Sequence, residues 1–269
     1  MIKLFVSDID GTIFDHTTGV PKENIEQIKK LQAQGIKIVL ASGRAIPAMM
    51  EIADQLNLKE NGGYIIASNG AEVLDLSTGD FYHQAKMPLK DVKEIYHFAI
   101  KHNLYFSCVQ DDILYYSYYD QAIEHEKYHG NFKIKWISHV DDLHLESSKC
   151  SLNIPVDAKI NGMDAFVREF ESRLSIERLL PWYMDVQTKG QSKLLGLTKL
   201  CEQLNIQLNE VAAIGDGSND LSMLEAVGIS ASLKESNEEV LAIVDHIMPS
   251  ARDAGVAHFA KLILKENAL

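Results

Sequence analysis

The chain has 269 residues, enough for two domains, and its 26 basic and 38 acidic side chains leave a net charge of −12. With no basic block that balance argues against a nucleic-acid partner, and there is no stretch of about 18 apolar residues to span a membrane. The opening Met1-Ile2-Lys3-Leu4-Phe5-Val6 lacks a signal peptide's cleavage region, which predicts a cytoplasmic protein; Cys108, Cys150 and Cys201 are too few and too far apart for a disulfide or metal set and read as reduced packing residues.

The apolar run from Ile2 to Val6 reads as a buried strand of a parallel sheet, and it ends in Asp8-Ile9-Asp10-Gly11-Thr12. Behind it the pattern predicts a helix over 22–34, a strand over 36–41 running into Ser42-Gly43-Arg44, a helix over 45–57 and a strand over 64–67 running into Ser68-Asn69-Gly70-Ala71. Such alternation implies βαβ crossovers. From 83 to 186 the pattern changes to that of an α+β module: a helix over 89–102, strands over 105–109, 113–117, 133–137 and 150–155, a helix over 161–172, then strands over 175–179 and 183–187. A helix starting near Gln191 and carrying Lys193 in its first turn resumes the first pattern, and Val211 to Ile214 forms a further strand that opens into Gly215-Asp216-Gly217-Ser218-Asn219-Asp220. The expected fold is therefore α/β: a parallel-sheet core made of 1–82 and 187–269, interrupted by an α+β domain over 83–186.

Alternate strand residues point the same way, so Asp8 and Asp10 can reach one small volume at the sheet edge where open α/β sheets bind ligands. Two carboxylates that close need a cation or a shared proton between them, and ligation by oxygen alone favours Mg²⁺ together with substrate phosphate. Ser42-Gly43 supplies a hydroxyl and a turn suited to phosphate oxygens at a helix N-terminus. Lys193 is badly placed for the dipole of its own helix, which an anion beside it would explain.

In order, spacing and content these four segments resemble the haloacid dehalogenase superfamily of phosphohydrolases, from Ile2 to about Leu264, and the stretch 215–226 looks like its Cof-type branch, whose members carry a large cap domain. The resemblance implies Mg²⁺-dependent hydrolysis of a small phosphate monoester, such as a sugar phosphate, nucleotide or cofactor phosphate. Asp8 would be the nucleophile that forms an aspartyl-phosphate, and Asp10 the general acid and then base. It further implies a metal set of Asp8, Asp216 and the Asp10 carbonyl, with Asp220 in direct or indirect contact, and a phosphate cradle of Ser42, Lys193, Asn219 and the amides near Ile9 and Gly43. A phosphotransferase or mutase, or a non-catalytic phosphometabolite sensor, are the rival classes, and retention of Asp10 argues against the sensor because binding needs no proton donor. The partner expected is a small phosphorylated metabolite, acting on a monomer or homodimer.

Three departures from the branch pattern stand out: Leu194 in place of a glycine after the lysine, Leu233-Lys234-Glu235-Ser236 in place of Met-Gly-Asn-Ala, and Ser250-Ala251 in place of Ser-Asn. The charged Lys234 and Glu235 bear on substrate preference rather than on phosphoryl chemistry. Asp220 is also a natural helix N-cap, Arg44 reads as a surface ion-pair residue, and the tyrosines of 115–119 with His125, Lys127, Tyr128 and His129 offer either a stacking surface or simple packing.

Overall fold

A computed structural model gives the fold and describes residues 1–130, 132–154 and 161–267, with the side chains of His125, Tyr128, His129, Asn161, Leu179 and Leu180 outside the description. The first stretch comprises β1 (Leu4–Ser7), α1 (Lys22–Ala33), β2 (Lys37–Ala41), α2 (Met50–Gln55), β3 (Tyr64–Ala67), β4 (Glu72–Asp75) and β5 (Phe81–Gln84). The middle holds α3 (Leu89–Lys101), β6 (Tyr105–Gln110), β7 (Ile113–Tyr116), α4 (Gln121–Gly130), β8 (Lys133–Trp136), β9 (Cys150–Asn153), α5 (Asn161–Phe170), β10 (Leu174–Leu180) and β11 (Tyr183–Thr188). The last stretch is α6 (Lys193–Leu204), β12 (Val211–Ile214), α7 (Leu221–Ala226), β13 (Ile229–Leu233), α8 (Glu238–Leu241), β14 (His246–Met248) and α9 (Gly255–Asn267). By its internal contacts the chain divides into one unit of Met1–Arg44, Met49–His83 and Ser192–Leu269 and another of Gln84–Gln191 with Ala45–Ala48.

The first unit is built on an eight-stranded sheet in the order β14-β13-β12-β1-β2-β3-β4-β5. From β14 to β3 neighbouring strands run parallel, and β4 turns back antiparallel on β3. Every residue of β1 is buried, as a strand covered on both faces requires. Leu4 and Val6 face Leu197 and Leu200 of α6 and Met223 of α7, while Phe5 meets Phe259 of α9 on the opposite face with ring centroids 5.4 Å apart. The chain builds outward from β1 in both directions, through β2 on one side and β12 on the other, so the crevice beyond their carboxyl ends is a topological switch point.

The helix expected over 45–57 is mostly not α-helical: Ile46–Met49 is a 3₁₀ turn and α2 is confined to Met50–Gln55. Pro47 fits the difference, because it has no N–H to donate into a longer α-helix.

The second unit has a six-stranded sheet ordered β10-β11-β9-β6-β7-β8, antiparallel except where α4 carries the chain from β7 across to a parallel β8. One face is apolar and covered by α3 and α5: Phe98, Phe166 and Phe170 pack together over Phe106, Cys108, Cys150, Leu152, Met184 and Val186. Tyr115 is buried in this same core, so of the tyrosines of 115–119 it at least is a packing residue. The alternate residues of the central strands, Ser107, Ser151, Asn153, Asp185 and Gln187, are polar and also buried. Among the described residues no helix is long and apolar enough to cross a membrane.

Because Phe166 is fully buried between α3, α5 and their sheet, Phe166→Ala should destabilise the second unit by about 3–5 kcal/mol. Hydrogen exchange read strand by strand would show faster exchange in β6 and β9 with β1 and β12 unchanged; uniform acceleration through both sheets would contradict separate cores.

Candidate active site

The amide of Asp8 donates to the Ile214 carbonyl at 2.9 Å, which extends the β1–β12 pairing by one residue and brings the two acidic loops side by side. Asp8 is buried at that edge, and Ile9 beyond it is fully inside the core. Gly11 then turns the chain with φ +75°, a conformation natural to glycine. Its lack of a side chain is also needed for space, because a Cβ there would lie 2.6 Å from Oδ2 of Asp216. Thr12 follows and donates through Oγ1 to Asp216 Oδ1 at 2.9 Å.

Lys193 is the first residue of α6, whose N-cap Ser192 accepts from the Leu195 amide. Its ammonium lies 2.6 Å from Asp8 Oδ1 and 2.6 Å from Asp220 Oδ1, with almost no exposure. The other oxygen of Asp220 accepts from the amides of Asp216 and Gly217, at 3.2 and 3.1 Å, so this side chain folds the acidic loop onto itself and does not cap the helix after it. Asp8, Asp216 and Asp220 can each offer an oxygen within 4.8 Å of the others.

Electrostatics follow from that packing. Burial raises the Asp8 carboxyl well above its ordinary range, and the Asp220 and Asp216 charges raise it further against the opposing pull of Lys193. Burial likewise raises Asp216, with Asp220 adding to it and Thr12 working the other way. Burial disfavours the Lys193 charge, but Asp220 and Asp8 outweigh it and hold the ammonium protonated. Three carboxylates against one ammonium leave a site of all-oxygen donors that is short of positive charge. That donor set suits a hard divalent cation.

Asp10 is half-exposed and does not join this cluster through its side chain. Arg44 forks it, Nε to Oδ2 at 2.8 Å and Nη2 to Oδ1, and His16 Nε2 stands 3.4 Å from the same Oδ1. Burial acts to raise Asp10, yet the Arg44 bonds and charge, with smaller help from His16 and Lys193, hold it below the usual carboxylate range. Arg44 also sits over the Phe14 ring, 5.3 Å from its centroid. The arginine expected at the surface thus contacts the second aspartate directly, a role its position two residues beyond Ser42 could have suggested; nothing in the sequence marked His16.

Ser42 and Gly43 leave β2 at the same sheet edge, since Leu40 is in register with Ser7. The Ser42 hydroxyl accepts from the Arg44 amide at 3.1 Å, and the Gly43 Cα lies against the amide group of Asn69. Asn219 donates to Asn69 Oδ1 at 3.1 Å. Asp8, Lys193, Asp216 and Asp220 therefore form one contact network, with Asp10 held beside it by Arg44, while Ser42, Gly43 and Asn219 are linked through Asn69. Of the atypical 233–236 segment, Ser236 turns inward to Ser232 Oγ at 2.6 Å and Lys234 turns outward to Asp253; Asn237, next in the chain, donates its amide to the Asp216 carbonyl.

A parallel α/β core whose switch point holds two acidic loops and a buried lysine is the frame of a phosphoryl-transfer enzyme, and comparison with known proteins assigns it. A family model described as haloacid dehalogenase-like hydrolase matches residues 5–260, so the chain belongs to that family, in its Cof-type branch, and is a phosphatase. It is similar to phosphatase YwpJ of Bacillus subtilis, 27% identical over 297 residues that cover 98% of this chain and 100% of that protein. It is similar also to phosphoglycolate phosphatase 1 of Saccharolobus solfataricus, 27% identical over 267 residues covering 98% and 97%. A solved haloacid dehalogenase-like hydrolase from Bacteroides thetaiotaomicron matches with a TM-score of 0.91 at 25% identity, over 98% of this chain and 100% of that one.

Gly11→Ala tests the packing of the two acidic loops. A methyl group at this positive φ costs about 1–2 kcal/mol in backbone alone, and it must displace the Asp216 carboxylate. Denaturant titration should show that loss, and phosphate release should fall with it; a variant of normal activity would show that Asp216 need not stay where Gly11 lets it lie.

Proposed function

We propose that the chain hydrolyses a small phosphate monoester by two in-line displacements at the β1 edge, with Mg²⁺ held at the acidic cluster. The observation that carries this reading is the contact network of Asp8, Lys193, Asp216 and Asp220. Asp8, buried and facing Lys193, would attack phosphorus and form an aspartyl-phosphate. Lys193 would keep the attacking carboxylate in place and neutralise non-bridging oxygens. Asp8 and Asp216, together with the Asp10 carbonyl, would hold the metal, which when bound supplies the charge that offsets repulsion between nucleophile and phosphate. Asp220, with its oxygens already engaged by Lys193 and two amides, would act by fixing the lysine and the loop rather than by ligation.

Asp10 would protonate the leaving alkoxide and afterwards take a proton from water. The Arg44 fork holds it as the carboxylate, the form the second step requires, so the fork must loosen before the first. Ser42, Asn219 and the amides near Ile9 and Gly43 would receive the remaining phosphate oxygens. The unit of Gln84–Gln191 would be the cap that selects the leaving group, among sugar phosphates, nucleotides and cofactor phosphates.

Asp8→Asn keeps the shape of the nucleophile and removes its charge. Phosphate release measured with saturating Mg²⁺ should fall by about 10⁴-fold or more while the protein stays folded, and near-normal turnover would overturn the mechanism.

For Asp10→Asn the expected loss depends on the leaving group. An alkyl phosphate, which needs a proton in the transition state, should slow by about 10²–10⁴-fold, and p-nitrophenyl phosphate by far less. Equal losses on both substrates would take the proton transfer away from Asp10.

A further inference from the structure

The Ser68-Asn69-Gly70 turn has no part in the chemistry proposed above, yet it touches three of the segments that do. Its backbone is unusual: φ is positive at three successive residues, 49° at Ser68, 49° at Asn69 and 94° at Gly70, and two of those carry side chains. Residues with a Cβ avoid this region, so the surroundings must hold it. The Ser68 amide donates to the Arg44 carbonyl at 2.8 Å and the Asn69 amide to the Ser42 carbonyl at 3.0 Å, which tie the turn to the loop after β2. On its other side Gly70 is pressed against the start of α6, where a Cβ would fall 2.0 Å from the Ser192 carbonyl oxygen. Lys193 is the next residue.

The Asn69 side chain completes the arrangement. It is buried, its Oδ1 accepts from Asn219 Nδ2 at 3.1 Å, and both terminal atoms of its amide lie 3.3 Å from where a Cβ of Gly43 would be. We propose that Asn69 is a positioning residue that fixes the Asn219 amide and the Gly43 peptide, and so sets the geometry of the phosphate cradle. This inference rests on the reading of Asn219 and Gly43 given above. Asparagine suits the place because it tolerates a left-handed backbone and carries an acceptor at the right reach. A turn needed only for its backbone would be served as well by glycine.

Asn69→Gly separates the two roles, since it keeps the backbone's freedom and deletes the amide. The experiment compares Asn69→Gly, Asn219→Ala and the double variant by kcat/KM on p-nitrophenyl phosphate and by inhibition with inorganic phosphate. Asn69→Gly should fold, lose about tenfold in kcat/KM, as expected for one hydrogen bond's worth of positioning, and bind phosphate more weakly by a similar factor. The double variant should be no worse than Asn219→Ala alone, because residues acting through one another do not add. Wild-type kcat/KM in Asn69→Gly, losses that multiply in the double variant, or failure of Asn69→Gly to fold would each overturn the proposal. Asp8→Asn distinguishes the two levels: if it is inactive while the other losses multiply, only the positioning role fails, and if it is active the reading of the whole site fails.

Discussion

Three carboxylates gathered at one sheet edge, two of them buried and bonded to a single lysine, are the constraint on which the rest of this core depends. Carboxylates packed this closely repel, and taking them from water costs several kcal/mol each before any attraction is counted. Lys193 offsets part of that by standing equally close to Asp8 and Asp220. Burial still leaves Asp8 and Asp216 with raised carboxyls, so the folded protein retains a demand for positive charge at this edge of the sheet. An ion binding there relieves a cost the fold already bears.

The surrounding structure can be read as the means of sustaining that cost. Parallel β1 and β12 lie next to each other because the chain winds outward from β1 in both directions, and only then do loops more than two hundred residues apart share an edge. Helices pack apolar side chains against both sheet faces and cover the strands. Gly11 and Thr12 let Asp216 approach from the side, and the Asp220 carboxylate gathers the amides of Asp216 and Gly217 so that their loop cannot open. Charge that would otherwise splay the site is thereby kept in register.

Much of this was legible in the sequence. A buried strand announces itself as an apolar run, and an acidic loop directly behind it has few other uses, so Asp8 and Asp216 could be read together with their strands, as could Lys193 from its misfit with the helix dipole. What was not legible depends on where side chains go after the loops have folded. Arg44 could have turned to solvent, and only the curve of the loop after Ser42 brings its fork to Asp10. The link from Asn69 to Asn219 requires three consecutive positive φ angles, which no pattern of hydrophobicity encodes. The shortened α2 was legible in principle, since Pro47 is in plain view, but helical periodicity outweighed it.

The second unit also holds a lysine and an aspartate buried together. Lys149 and Asp185 lie 3.0 Å apart inside that unit, and Ser151 donates to the other oxygen of Asp185 at 2.8 Å. Burial disfavours the Lys149 charge, but Asp185, with Tyr183 and Glu126 adding to it, outweighs that and keeps the ammonium protonated. Here each oxygen of the Asp185 carboxylate has its own donor. Around Lys193 one ammonium bonds two carboxylates, and a third stands beside them. What separates the two places is that Asp8, Asp216 and Asp220 can each offer an oxygen within 4.8 Å of the others, a donor set that an added hard cation would suit.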